Sequence, residues 1–108
     1  MINSATIKIF LPYGDPKKVR VAELSNWSGK GIAAPRSDIE QFIARPETSK
    51  PGVYILLGID PENGQDIAYV GEAEIVSERI KQHKGKDDWN SIIAFISKDE
   101  NLTSVFNR

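Results

Sequence analysis

Residues 52–83 read GVYILLGIDPENGQDIAYVGEAEIVSERIKQH, and the fold turns on how this stretch is divided. Residues 53–59 are almost continuously apolar, a pattern that suits a strand covered on both faces and therefore central in its sheet. Asp60-Pro61-Glu62-Asn63-Gly64 is a strong turn signal, because proline presets φ for a turn corner and Asn-Gly tolerates positive φ. Residues 67–70 then return antiparallel. With the turn centred near Pro61 and Glu62, Tyr54 and Tyr69 are expected almost opposite each other, with hydroxyls that share one site. Gly71 is expected to end the second strand and admit a tight turn into a helix over 72–84. That helix would carry Glu72 and Glu74 in its first turn and Lys81, His83 and Lys84 in its last, the order the helix dipole favours, with Gly85 as its C-cap. Ile75, Arg79 and His83, spaced by four, would form one stripe along it.

Working outward, residues 6–11 (TIKIFL) and 19–24 (VRVAEL) alternate polar and apolar around the turn PYGDPKK and read as a hairpin. Residues 31–34 add a short strand. Ser37 followed by Glu40 fits a capping box opening a helix over 38–44. Pro46 stops that helix, having no N–H to donate and a ring that clashes with the preceding turn. The polar, irregular ETSKP at 47–51 divides an N-terminal hairpin-plus-helix extension, 1–50, from a core, 51–108. Downstream, residues 92–96 (IIAFI) are a third wholly apolar strand.

The chain has 108 residues, 40% apolar and 27% charged, enough for one compact domain with one core. No apolar run approaches the ~18–20 residues that span a bilayer. The opening MINSATIKIF lacks the pattern of a secretory leader, so the expected location is the cytoplasm. There is no cysteine and one histidine, which excludes disulfides, thiolate metal sites, a cysteine nucleophile and a multi-histidine metal site within one chain. The net charge of −1 counts against a protein living mainly by phosphate contacts. The charge is uneven, however: Arg79, Lys81, His83, Lys84 and Lys86 form a local basic face.

Taken singly, a GVY or YVG triplet is the ordinary signature of a packing tyrosine at a strand end, an arginine on a helix is usually solvated, and a lone histidine is usually a bystander. The combination is more specific: Gly52-Val53-Tyr54, a turn, Tyr69-Val70-Gly71, then Arg79 eight residues after that glycine and His83 four after the arginine. It resembles the GIY-YIG nuclease superfamily, whose modules occur in homing endonucleases, the incision subunit of nucleotide-excision repair and some restriction enzymes. The resemblance covers roughly residues 51–100. It implies a small α+β domain, of α/β type, with a central three-stranded antiparallel sheet and flanking helices, here preceded by the hairpin and short helix. It also implies hydrolysis of DNA phosphodiester bonds with Mg²⁺ or Mn²⁺. Attack on a phosphodiester needs an activated water and charge stabilisation at the non-bridging oxygens. By the resemblance Tyr54 is the base, Tyr69 positions water or phosphate, Arg79 clamps the phosphate and His83 assists proton transfer or orients a phosphate. Gly52 and Gly71 are the motif glycines, and Lys81, Lys84 and Lys86 are candidate DNA contacts. A tyrosine titrates near ~10 in water, so a basic role requires a cation alongside, and Arg79 is the one at hand.

The family's metal ligand is a glutamate on a helix after the third strand. Only twelve residues follow Ile96, with Asp99 and Glu100 directly after the strand, so the core is expected to be truncated and the metal role falls on no residue. Glu72 stands where repair-type relatives carry a basic residue. A single helix over 72–84 cannot cover both faces of an apolar sheet; the N-terminal hairpin and helix, or a second copy of the chain, must cover the other, and either self-association or a shortened, inactive form is expected. Two further readings stand beside the nuclease: a catalytically silent relative that binds nucleic acid or protein through the same cleft, and a small interaction module without cleft chemistry. Trp27, in SNWSGKG, either stacks on bases or closes a small core.

Overall fold

The computed structural model describes residues 4–86 and 88–97. Ten elements follow in order: β1 Ile7–Phe10, β2 Arg20–Leu24, β3 Gly29–Pro35, a 3₁₀ turn Arg36–Asp38, α1 Ile39–Ala44, a second 3₁₀ turn Pro46–Ser49, β4 Gly52–Ile59, β5 Asp66–Ala73, α2 Val76–Gln82 and β6 Ser91–Ser97. The class is α+β, as expected. The sheet is larger than the expected three strands: it has six, all antiparallel, in the order β1-β2-β3-β6-β4-β5. The three strands anticipated from the motif form one half, β6-β4-β5. The other half joins because β3 runs over seven residues rather than four and pairs with β6 along its whole length, from Gly29↔Ser97 to Pro35↔Ser91. A strand that satisfies a full ladder of N–H and C=O groups extends a sheet rather than folding over it. The segment between α1 and β4 is not a loose tether, since Glu47 and Thr48 are buried there.

The second hairpin turns as the sequence indicates. Gly64 alone takes positive φ, at 72°, while Asp60 and Asn63 cap the turn from their side chains onto the N–H groups of Glu62 (2.8 Å) and Gln65 (2.9 Å). The register is Tyr54↔Gly71 and Leu56↔Tyr69. The tyrosines are thus one diagonal step apart on a shared face and not opposite, because the turn closes one residue further along than Pro61 and Glu62 imply. β5 continues through Gly71 to Ala73, pairing with β4 down to Gly52. This corrects the expected helix over 72–84. Glu72 is a strand residue, Ile75 is the N-cap, without a side-chain cap, and the helix begins at Val76. Completing the ladder against Gly52–Tyr54 and burying Ala73 outweighs the helical propensity of the acids. The C-cap is His83, in right-handed geometry, and Gly85 takes no positive φ.

Before α1 the Ser37–Glu40 capping box does not form: the N-cap is Asp38 and no side chain caps it, because the 3₁₀ turn already delivers the chain to the helix. Pro46 does end α1. It forces Arg45 into extended geometry (φ −71°, ψ 137°), and the Thr48 hydroxyl sits among the freed carbonyls of Phe42, Ile43 and Arg45.

Both helices lie on one face of the sheet. Phe42 of α1, Val76 and Ile80 of α2 and Trp89 pack onto Val21, Ile32, Ala34, Tyr54, Leu56, Ile92, Ala94 and Ile96. β4 and β6 accordingly alternate between buried and partly exposed positions, which corrects the expectation of strands covered on both faces. Among the described residues, the hairpin extends the sheet sideways and covers neither face of it.

Candidate functional site

Tyr54 stands on β4 with its ring under Gly71 of the neighbouring strand. A Cβ at position 71 would lie 2.4 Å from the phenolic oxygen and 2.5 Å from Cζ, so the motif glycine is the space the tyrosine occupies rather than a hinge. Gly52 answers a similar constraint, a Cβ there meeting the Phe95 carbonyl at 2.5 Å. The ring is 5% exposed and its hydroxyl reaches Nε2 of His83 at 3.1 Å, the two rings inclined at 56°. His83 is held there as the C-cap of α2, with its carbonyl accepting from Trp89 Nε1 at 3.0 Å. Burial first, then the charges of Lys86 and Arg79, hold the His83 imidazole below its ordinary pKa, so it is neutral at pH 7. Its Nδ1 is buried with no hydrogen-bond partner among the described residues.

Tyr69, on the same sheet face, donates its hydroxyl to Asp88 Oδ2 at 2.5 Å, and Lys86 stands 5.0 Å from its ring centroid. The hydrogen bond to Asp88, reinforced by desolvation and by the charges of Asp88 and Asp60, pushes the Tyr69 phenol above its ordinary pKa. The two tyrosines are therefore chemically unequal. Tyr69 is a fixed neutral donor to a carboxylate; Tyr54 shares its hydrogen bond with an imidazole. Beside Tyr69 a cleft of about 480 Å³ is lined by Asp60, Glu62, Lys86 and Asp88 among others.

Of the remaining expected residues, Arg79 is exposed on α2 and makes no ion pair or side-chain hydrogen bond among the described residues. Ile75, placed on the same stripe by the sequence, lies outside the helix and is 45% exposed. Lys81 pairs with Glu78 at 3.5 Å and Lys84 with Glu40. Lys86, the third lysine, connects the two halves of the site through Tyr69 and the field at His83.

Four residues absent from the sequence reading build the site. Asp88 fixes Tyr69. Gly58 lets it do so, because a Cβ there would lie 1.8 Å from the Asp88 carbonyl oxygen, so only glycine admits the 88–90 segment onto β4; Asn90 N–H then donates to Leu57 O at 2.7 Å. Trp89, 2% exposed, buries the segment. Arg36 clamps it by stacking over the Trp89 ring (4.4 Å to its centroid) and donating to the carbonyls of Trp89 (3.0 Å) and Lys84 (2.6 Å). A glycine inside an otherwise apolar strand is a sequence signal of close backbone approach, and Gly58 was open to that reading. Nothing local marks Arg36, whose partners lie about fifty positions away.

Among the described residues no three His, Asp or Glu side chains converge to hold a metal ion, and of the carboxylates beside Tyr69 that of Asp88 is committed to the tyrosine. The residues present thus do not make a divalent-cation site, and Asp99 and Glu100 lie outside the described residues. No helix of the described residues is long and apolar enough to cross a membrane. Neither the family patterns nor the curated proteins nor the solved structures compared with this chain give a match.

Proposed function

We propose that the chain is a GIY-YIG-type endonuclease domain acting on DNA phosphodiesters in the cytoplasm, with Tyr54 and His83 as its proton-transfer pair. The observation that supports this reading is the 3.1 Å contact between the Tyr54 hydroxyl and Nε2 of a neutral, cation-flanked His83, formed by the residues that carry the motif. In the proposed reaction Tyr54 takes a proton from the attacking water while its own passes to His83. Tyr69 keeps its proton on Asp88 and offers only lone pairs, which suits it to orient water rather than to deprotonate it. Arg79, exposed and without an ion pair among the described residues, is placed to clamp a phosphate, and Lys86 adds positive charge to the site. The family chemistry adds Mg²⁺ or Mn²⁺ for charge stabilisation; no step here is assigned to it.

Plasmid nicking with Mg²⁺ or Mn²⁺ tests the proposal. Cleavage lost in Tyr54→Phe and Arg79→Ala supports it, and cleavage that survives Arg79→Ala refutes the assigned roles. One observation favours the second reading, a silent relative that binds a partner through the cleft: Asp60, Glu62 and Asp88 line the space beside Tyr69 against Lys86 alone. That balance suits a basic protein segment better than a polyanion. An inactive wild type, with amide shifts at Tyr54, Tyr69, Arg79 and His83 on adding a basic peptide but not a DNA duplex, selects that reading.

A further inference from the structure

The face of the sheet opposite the helices carries an unusual load of exposed apolar side chains. Alternation places Ile7 and Ile9 of β1, Ile59 of β4, Val70 of β5 and Phe95 of β6 on it, at 64%, 63%, 52%, 70% and 36% exposure. Trp27, 38% exposed, lies over Gly29 and edge-on to Phe95 on the same side. These are six of the nine large apolar residues exposed among the described residues. A monomer that leaves such a face to water is the exception.

We propose that this face is a homodimer interface, occupied by the same face of a second copy of the chain. Three properties of the face argue for a copy rather than another partner.

The first is size. Five strands at ~4.8 Å spacing and about six residues at ~3.3 Å each give on the order of 500 Å² in projection per copy. Corrugated side chains bring the total for two copies to the ~1,200–2,000 Å² typical of stable, specific interfaces.

The second is relief. β6 and β4 form a ridge, Ile93 and Phe95 beside Ile55, and β3 next to it is a trough carrying only Gly31 and Ala33 at the paired positions. A two-fold axis parallel to the strands between β3 and β6 lays each ridge into the partner's trough, the self-complementary arrangement an isologous contact requires.

The third is charge. Between β2 and β5 the face bears charge only at its two sides, Arg20 on β2 and Asp66 and Glu72 on β5. Arg20 stands in the row of Ala33, Ile93, Ile55 and Val70, one row from Glu72. The same two-fold sets Arg20 over β4 of the other copy, one strand and one row from Glu72 there. The proposal is independent of the cleavage reading, because the cleft lies on the helix side of the sheet.

Sedimentation velocity on the full chain, from dilute to concentrated solution, tests it. The wild type is expected to sediment as a dimer whose fraction rises with concentration. Val70→Lys, at a 70%-exposed position where folding is not at stake, buries a cation in the contact one strand from Arg20 of the other copy and should raise the dissociation constant by about tenfold or more. Gln41→Lys, adding the same charge on the exposed side of α1, should leave it unchanged. Arg20→Glu and Glu72→Arg should each weaken association, and the double exchange should restore it. Three outcomes overturn the proposal: a wild type that is monomeric throughout; a dimer indifferent to Val70→Lys; and a dimer equally sensitive to Gln41→Lys.

Discussion

Gly71→Ala is the substitution that most directly tests why the second motif ends in glycine. The added Cβ would stand 2.4 Å from the Tyr54 hydroxyl oxygen, 2.5 Å from Cζ and 2.9 Å from Cε1, whereas carbon contacts settle near ~3.5–4.0 Å. The ring must withdraw by about 1 Å, and it has little room, being 5% exposed against Ala94 and the α2 side of the core. Overpacking of this kind costs about 1–3 kcal/mol. Moving the hydroxyl also stretches its 3.1 Å contact with His83 past hydrogen-bond range, a further ~0.5–1.5 kcal/mol. Alanine returns ~0.5–1 kcal/mol over glycine in a strand. The net expectation is a destabilisation of roughly 1–3 kcal/mol, or a fall in Tm of roughly 5–20 °C for a domain of this size. Urea and thermal unfolding read the stability, and the His83 ring resonances read the lost contact. Tyr54→Leu removes the outer ring atoms, so adding Gly71→Ala on that background should cost far less than on wild type, a coupling visible in a double-mutant cycle. A Gly71→Ala protein at least as stable as wild type, with an unchanged His83 titration, would refute the packing argument.

Four further outcomes follow from the site and its support. His83 titrates below its ordinary value in the folded protein, so between about pH 6.5 and that lower value the unfolded chain binds more protons; stability is full above about pH 6.5 and falls as pH drops through this window, and His83→Gln should flatten the slope of the urea midpoint between about pH 7.5 and about pH 5. In ultraviolet titration of the phenols, Tyr69 should ionise above the ordinary range, and Asp88→Asn should bring it down. Arg36→Gln removes a stacked guanidinium and two carbonyl contacts, and should cost roughly 1–3 kcal/mol in denaturant unfolding while raising hydrogen exchange across residues 83–90. Gly85→Ala, where a side chain meets open space and φ is not positive, should be neutral or stabilise by about 0.4–1 kcal/mol, and a loss beyond ~1 kcal/mol would show that the turn after α2 needs glycine after all.

The sequence by itself determined the local features of this protein. Proline at 46 and Asn-Gly at 63–64 fix where the chain stops and turns, because those residues restrict or permit φ without help from distant neighbours. Apolar runs at 53–59 and 92–96 mark strands because their composition does. What it could not determine depends on groups far apart in the chain. Whether residues 71–73 are helix or strand rests on a ladder with Gly52–Tyr54, seventeen or more positions away, and that ladder overrode the acids' helical preference. The sheet gained its second half because β3 found β6 some sixty residues later, a pairing no local pattern encodes. The inequality of the two tyrosines is likewise tertiary: Asp88 and His83 reach them from the segment after α2, across the space left by Gly58 and Gly71. Local sterics are written in neighbouring residues, whereas ladders, clefts and proton affinities are set by whichever side chains the fold brings together.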